Sequence, residues 1–353
     1  MKYRNLKMIT AGALVLIASC NDPKTVVTDI VHADGSVTRK IEMKNSENNF
    51  KVSEIQVPFD NTWTIRDSLE INKKGDTTWV KRAEKLFKNA DDINSDYKAD
   101  SSYNKGISRK VTFSKKFKWF HSNYRFAEII DKKLLYGYPV SDFLNKEEQV
   151  WFYSPENVKN KKENSVDSLK FKMLNDSVET KTERWLYKNI ISEWIGEFGK
   201  LIGEKSSSGI DIESLKAREG ELVKLIDKID ESEQNFDSLW NQGLILKDFI
   251  GEANALRYKE EGDSALNLAT ESIFITFRQY AVKMVMPGKV TGSNGFIDST
   301  GILFWPVTSD FFLTEPYEMW AESKVPNLWA WIISGLFVVF VFTGIMVTKK
   351  RKG

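Results

Sequence analysis

The chain has 353 residues, 41% hydrophobic and 28% charged, the balance of a chain that buries a core and not of a disordered one. A single cysteine excludes an internal disulfide and a cysteine-built metal site, and two histidines, His32 and His121, exclude a histidine-rich one. The formal charge of +2 belongs to the ends: Lys2, Arg4 and Lys7 precede an N-terminal apolar run, and Lys349, Lys350, Arg351 and Lys352 follow a C-terminal one. Without these seven, 44 basic residues stand against 49 acidic ones, so the mildly acidic middle gives no reason to expect nucleic acid as a partner.

Residues 1–19 read as a secretory signal, with a basic start and an apolar region from Met8 to about Ala18. That region is too short for a membrane span, which needs about 20 residues. It ends in Leu16-Ile17-Ala18-Ser19-Cys20, which resembles a bacterial lipobox: an aliphatic residue, two small residues, then cysteine. The resemblance implies cleavage before Cys20 and diacylation of its thiol, a nucleophile able to accept lipid. Residues 20–24 would then be a lipidated tether. The other reading is a plain cleaved signal with an incidental cysteine.

Residues 25–133 read as β-rich. Val26, Thr28 and Ile30 alternate with Val27, Asp29 and Val31, and Asp34-Gly35 gives the turn signal for a hairpin over 25–43. A second hairpin is expected at 62–87, turning at 72–76. Residues 89–108 are polar and read as a loop. Within it, Asp92-Ile93-Asn94-Ser95-Asp96 opens like a calcium-binding EF-hand loop. Tyr97 stands where that loop needs glycine and Tyr103 where it needs glutamate, so the calcium reading fails. From Lys110 the pattern is that of a strand with one wet face, turning near Ser122-Asn123 and returning over 124–130. Lys115, Lys116, Lys118 and Arg125 interleave there with Phe117, Trp119, Phe120 and Tyr124. This is a half-buried strand, or a grip on anionic lipid headgroups or on a single strand of nucleic acid. A place outside the cytoplasm near a membrane favours lipid of the latter two, with Lys116, Lys118 and Trp119 as candidate contacts.

Residues 134–286 read as helical. Trp185, Ile190, Trp194, Phe198, Leu201 and Ile202 fall on one stripe, and a last helix is expected over 263–286, ending at Pro287-Gly288. Trp185, Trp194, Phe198 and Trp240 either pack internally or line a groove for an acyl chain or a partner helix, with Trp194 as the candidate contact. In 287–327, Lys289–Thr291 and Ile302–Trp305 read as a closing hairpin followed by a juxtamembrane segment. An isolated hairpin is marginal, so these strands are expected to rejoin the N-terminal sheet. The fold class is α+β: N-terminal antiparallel hairpins joined by a C-terminal hairpin, with a long helical insertion and one transmembrane helix. Met286-Pro287-Gly288-Lys289-Val290, Ser293-Asn294-Gly295 and Trp305 resemble the closing hairpin of bacterial LppM-type lipoproteins, which share this order of elements. The resemblance implies an envelope-facing binding or structural domain and supplies no catalytic residues.

Residues 328–348 form 21 positions without a charge. At about 1.5 Å each they extend about 31 Å, the thickness of a bilayer's hydrocarbon core. Trp329 and Trp331 stand at one boundary, and Lys349, Lys350, Arg351 and Lys352 at the other. Positive charge marks the inner side, so 349–353 is expected in the cytoplasm of a bacterial cell and the ectodomain outside its cytoplasmic membrane.

Catalytic constellations fare worse. His121 and His32 lack an identifiable partner for base catalysis. The adjacent pairs Asp91-Asp92, Glu147-Glu148 and Glu260-Glu261 do not make carboxylates facing each other across a bond at about 5–9 Å. Gly292-Ser293-Asn294-Gly295 lacks the lysine and helix of a phosphate loop. No cofactor is expected. The expected function is that of a doubly anchored bacterial envelope lipoprotein whose ectodomain binds or scaffolds a protein partner. A lipid or apolar-ligand carrier is the alternative, and an envelope glycan hydrolase the third reading.

Overall fold

A computed structural model describes residues 24–351 apart from 47, 49, 51–56, 58–59, 72–74, 76, 101–105, 164–165, 205–209, 211, 232–235 and 274–278. The signal region 1–19, Cys20, most of the 20–24 tether and Lys352 lie outside the described residues, as do the side chains of Lys350 and Arg351. The chain is α+β, with N-terminal strands, a long central helix and one apolar C-terminal helix. It divides into two compact units. Pro23–Ile130, Gln279–Val307 and Glu318–Gly353 make a β unit, and Asp131–Arg278 with Thr308–Tyr317 make a helical unit.

The β unit holds two sheets. The first contains β1 (Lys24–Val31), β2 (Val37–Asn45), β3 (Thr64–Ile71), β4 (Thr77–Phe87), β7 (Tyr280–Val285), β9 (Phe296–Ile297) and β10 (Leu303–Val307), in the order β3-β4-β2-β1-β7-β10-β9. The second contains β5 (Arg109–Lys118), β6 (His121–Ile130), β8 (Lys289–Ser293) and β11 (Tyr317–Pro326), in the order β5-β6-β11-β8. Alternation builds these strands: Val37, Arg39, Ile41 and Met43 of β2 are buried, and Thr38, Lys40, Glu42 and Lys44 are not. Asp34-Gly35 lies inside the connection from Val31 to Val37, where the Asp34 carboxylate accepts from the Ser36 amide at 3.0 Å and Gly35 takes φ 97°.

One of the two expected C-terminal strands rejoins the N-terminal sheet, β10 through β7. β7 runs parallel to β1, with Thr25 opposite Tyr280 and Ile30 opposite Val285, and β10 pairs antiparallel with β7. The expected pairing of 289–291 with 302–305 does not occur. β8 pairs with β11, so Pro287-Gly288 carries the chain from one sheet to the other. Gly288 sits at φ 75°, and a Cβ there would lie 2.5 Å from the Lys324 carbonyl oxygen. Backbone is rigid and the φ is left-handed, so Gly288→Ala is expected to lower stability by about 1–3 kcal/mol in chemical denaturation.

Four local expectations are corrected. The polar loop at 89–108 contains α1 (Ala90–Lys98), started by Asn89, whose side chain accepts from the Asp92 amide at 3.0 Å. The residues that resembled a calcium loop are engaged otherwise: Asn94 bonds the Val111 amide and carbonyl, and Asp96 pairs with Lys85. The hairpin turn near Ser122-Asn123 lies instead at Trp119-Phe120, between Lys118 and His121. The helix over 263–286, and with it the helical region to 286, ends earlier: Lys259–Ile273 is helical, and Tyr280–Val285 is β7, with Tyr280, Val282 and Met284 buried at period two. The juxtamembrane segment is β11, whose Met319, Ala321 and Ser323 are buried.

A charged cluster lies between the sheets among buried Val37, Ile41 and Phe126. Arg39, 1% exposed, holds both carboxylate oxygens of Asp29, at 2.6 and 2.7 Å, and donates to Glu128 at 2.8 Å and to the Tyr97 hydroxyl. The Tyr97 hydroxyl in turn donates to Glu128 at 2.7 Å. Arg109 lies over the rings of Tyr97 and Tyr280 and donates to the Tyr280 hydroxyl at 3.4 Å. Burial pushes the Tyr97 phenol well up and that of Tyr280 up to about 12, so both remain protonated donors.

The helical unit is organised on α4 (Ser168–Gly203), preceded by α2 (Lys146–Phe152) and α3 (Glu156–Glu163). Short helices follow: α5 (Ile212–Ala217), α6 (Glu219–Glu231), α7 (Phe236–Asn241), α8 (Leu244–Ile250), α9 (Glu252–Arg257) and α10 (Lys259–Ile273). Ile191, Trp194, Ile195, Phe198 and Ile202 of α4 pack against Leu215, Leu222, Trp240, Leu246, Phe249 and Ala265. Buried Asn189 accepts from the Tyr138 amide at 2.6 Å, and the Trp185 indole donates to the Tyr138 carbonyl at 2.9 Å, fixing the entering chain to α4.

Candidate membrane-contact site

The last helix, α11 (Leu328–Arg351), contains an apolar stretch Leu328–Lys349 of 22 residues with mean hydropathy 2.4 and only 6% of it buried. At about 1.5 Å per residue this is about 33 Å, long and apolar enough to cross a bilayer. An apolar helix with its surface unburied is not the core helix of a soluble domain, since Leu336, Phe337, Val339 and Phe340 face outward.

The helix does not hang from a free linker. β11 runs into it through Pro326 and Asn327, and Asn327 takes the turn of the β5–β6 hairpin. Its side-chain amide donates to the carbonyls of Lys118 at 2.7 Å and Trp119 at 3.1 Å. Its backbone amide donates to the Phe120 carbonyl at 3.0 Å, and its side-chain oxygen accepts from the Ser122 hydroxyl at 3.2 Å. A two-residue hairpin turn favours residues with positive φ. Trp119 and Phe120 have none, and the turn is held from outside by the Asn327 bonds to the carbonyls of Lys118, Trp119 and Phe120.

Aromatic rings complete the contact. Phe117 stacks on Trp329 with centroids 6.2 Å apart and planes at 6°. Trp119 meets Trp329 edge-on at 5.2 Å, and Phe120 lies 4.4 Å from Trp331. The Trp119 indole donates to the Ser334 hydroxyl at 3.0 Å. Ser334 is six residues beyond Leu328, about 9 Å along the helix. The hairpin tip therefore descends beside the first turns of α11, and Phe117, Trp119 and Phe120 keep 58%, 48% and 40% of their surface exposed.

The tip is also cationic. Lys116 and Lys118 are exposed on β5, and Lys289 and Lys324 are exposed opposite one another on β8 and β11. Lys118 stands opposite His121 at the turn, and partial desolvation, then Lys324 and Lys118, hold the His121 imidazole below its ordinary range. Arg125 is not part of this set: it lies 4.5 Å from the Trp320 ring centre and pairs with Glu318 and Glu322. Lys115 lies over the Tyr124 ring and donates to the Ala33 carbonyl.

The candidate residues thus separate. Lys116, Lys118, Trp119, Trp329 and Trp331 share one end of the β unit, and Lys349 lies at the other end of α11. Trp194 is corrected as a ligand contact. It is 3% exposed, stacked on Phe198 at 5.0 Å, met edge-on by Trp240 at 5.6 Å, and donates to the Gly262 carbonyl. Its ring faces are already covered, so the stripe packs internally. Trp194→Phe, which removes ring volume and that donor, is expected to cost about 1–2 kcal/mol in thermal or denaturant unfolding. Asn327, Ser334, Lys289 and Lys324 had no marker in the sequence as site residues. The available signal was the absence of any Asp or Glu in 109–127, 280–297 and 323–348, the three segments that meet here. No protein-family model, curated protein or solved structure matches the chain.

Proposed function

We propose that this chain is a doubly anchored bacterial envelope lipoprotein that holds a protein partner at the extracytoplasmic face of the cytoplasmic membrane. The observation that carries the reading is the clamp of Asn327 and the aromatic rings on α11, which couples the β unit to the membrane helix. A free tether would need neither. The carrier alternative would need room for an acyl chain. Between the sheets lies instead a bonded cluster of Arg39, Asp29, Glu128, Tyr97, Arg109 and Tyr280 among buried apolar side chains, and an acyl chain entering there would have to break those bonds.

Strand direction adds a constraint on the two anchors. β5 ends at the membrane tip, and Lys115 near that end touches Ala33 at the end of β1, whereas Arg109 at the far end touches Tyr280, the neighbour of Thr25. β1 therefore begins at the end remote from α11. From Arg109 to Trp119 is about 33 Å of strand, and Cys20 to Lys24 reaches at most about 14 Å. In the lipidated form the two anchors then attach to opposite ends of the β unit.

Native mass spectrometry of the full-length protein extracted gently from its own membrane tests the proposal. The expected species begins at Cys20, carries a covalent diacylglyceryl mass and retains a second protein. Retention of 1–19 overturns the lipid anchor. A noncovalent lipid in place of a protein overturns the scaffold in favour of the carrier.

A further inference from the structure

We infer that the β5–β6 hairpin tip is a second, interfacial membrane contact that takes the headgroups of anionic phospholipids. The inference deepens the proposed function, since it rests on α11 crossing a bilayer. Depth comes first. The Trp119 indole is hydrogen-bonded to Ser334, inside the apolar stretch, so Phe117, Trp119 and Phe120 lie at the level of Trp329 and Trp331. Their exposed ring surface then meets the same medium as Leu328 and Ile332, which are 68% and 62% exposed. Tryptophan favours that level because its ring is apolar and its N–H needs a partner, here the Ser334 hydroxyl.

Charge selects the lipid. Lys116, Lys118, Lys289 and Lys324 stand around the rings on the watery side, with no carboxylate in the segments that carry them. The nearest acidic side chains on β11, Glu318 and Glu322, are held by Arg125. Lysine stems lie along apolar surface while the ammonium reaches the phosphate layer. Each lysine near an anionic surface strengthens binding by about five-fold. An aromatic tip flanked by unopposed lysines thus fits a bilayer with phosphatidylglycerol-like headgroups better than a neutral one.

The test uses the full-length chain in detergent, titrated with phosphatidylglycerol or phosphatidylcholine and read by native mass spectrometry. The wild-type chain is expected to take phosphatidylglycerol at least ten-fold more tightly. The triple variant Lys116→Gln/Lys118→Gln/Lys324→Gln is expected to weaken it by up to roughly a hundred-fold, at about five-fold per lysine, with an unchanged melting curve. The basic tail also attracts anionic lipid, so Lys349→Gln/Lys350→Gln serves as the comparison. Equal uptake of the two lipids, selectivity intact in the triple variant, or selectivity lost only with the tail variant would each overturn the inference. Depth is read separately in vesicles containing shallow-brominated lipid, where Trp119→Phe should remove a quenched fraction of the indole emission. No change in that fraction places the tip in water and also overturns it. Both readouts use the purified chain, so they stand or fall whether or not a protein partner co-purifies.

Discussion

Arg39→Met is expected to destabilise the β unit by about 3–5 kcal/mol, the cost of leaving buried carboxylates without their cation. Asp29 is 0% and Glu128 1% exposed, and Arg39 bonds both. Burial lowers the guanidinium's proton affinity, but Asp29, Tyr97 and Glu128 together raise it well above its ordinary range, so the arginine stays charged. Burial already pushes the Asp29 carboxyl up against the pull of Arg39. Without Arg39 that push is unopposed. The folded variant then binds a proton at a pH where the unfolded chain does not, so its stability rises as pH falls through the folded-state value. The deficit measured by urea unfolding in detergent micelles should therefore shrink from pH 7 to pH 5. The double variant Arg39→Met/Asp29→Leu should recover part of the loss, because it removes one of the two carboxylates left without Arg39 while Glu128 keeps Tyr97 and Arg109 as partners. A deficit below about 1 kcal/mol, or one that grows on acidification, would mean that water reaches the cluster and screens it.

The two N-terminal hairpins were legible because their apolar residues recur at period two, broken only locally as at Arg39 and Asp67, and their connections contain Asp-Gly or Lys-Lys-Gly-Asp. The long helix was legible because Trp185, Trp194, Phe198 and Ile202 repeat at helical spacing. β7 was not, since Tyr280-Ala-Val-Lys-Met-Val satisfies either period over so short a run. What decides it is the parallel edge offered by β1, a contact 255 residues upstream at Thr25–Tyr280. Helix α1 was missed for a related reason. Asp91 and Asp92 suit a loop in isolation, but after Asn89 they lie in the first turn of a helix, where its dipole favours them. Arg39 and Asp29 could be placed inward by parity alone, yet nothing in the sequence pairs them with Glu128, which comes 89 residues later.

The membrane end was half legible. An uncharged run with tryptophans at its start and lysines after it needs only length and composition, so α11 was readable. The alternation of lysines and rings over 115–120 marked one face of a strand. It could not show that the turn lies at Trp119-Phe120, because the usual turn residues are absent and the turn is completed from outside by Asn327. Trp194 shows the reverse error. A tryptophan on a helical stripe has the same spacing whether its ring faces a groove or a core, and only Trp240 and Phe249, arriving from later helices, decide it.

Asn327→Ala is the change expected to uncouple the ectodomain from its membrane helix. It removes two donor bonds to the Lys118 and Trp119 carbonyls and the acceptor for Ser122, and it keeps the backbone bond to Phe120. At about 1 kcal/mol per bond the hairpin tip should lose about 2–3 kcal/mol of local stability, or roughly 30- to 150-fold in its opening equilibrium. Hydrogen exchange of the full-length protein reads this directly. The amides of Lys118 and His121 should exchange faster by that factor, and those of Arg39 and Val111, in the interior of the sheets, should not change. Faster exchange throughout the β unit would mean that Asn327 supports the fold as a whole. Unchanged exchange at the tip would mean that Phe117, Trp119 and Phe120 hold α11 by ring contact and bilayer insertion alone. In the proposed function the clamp keeps the strands at a set angle to the membrane helix. The variant should therefore stay in the membrane through α11 and retain less of the bound partner.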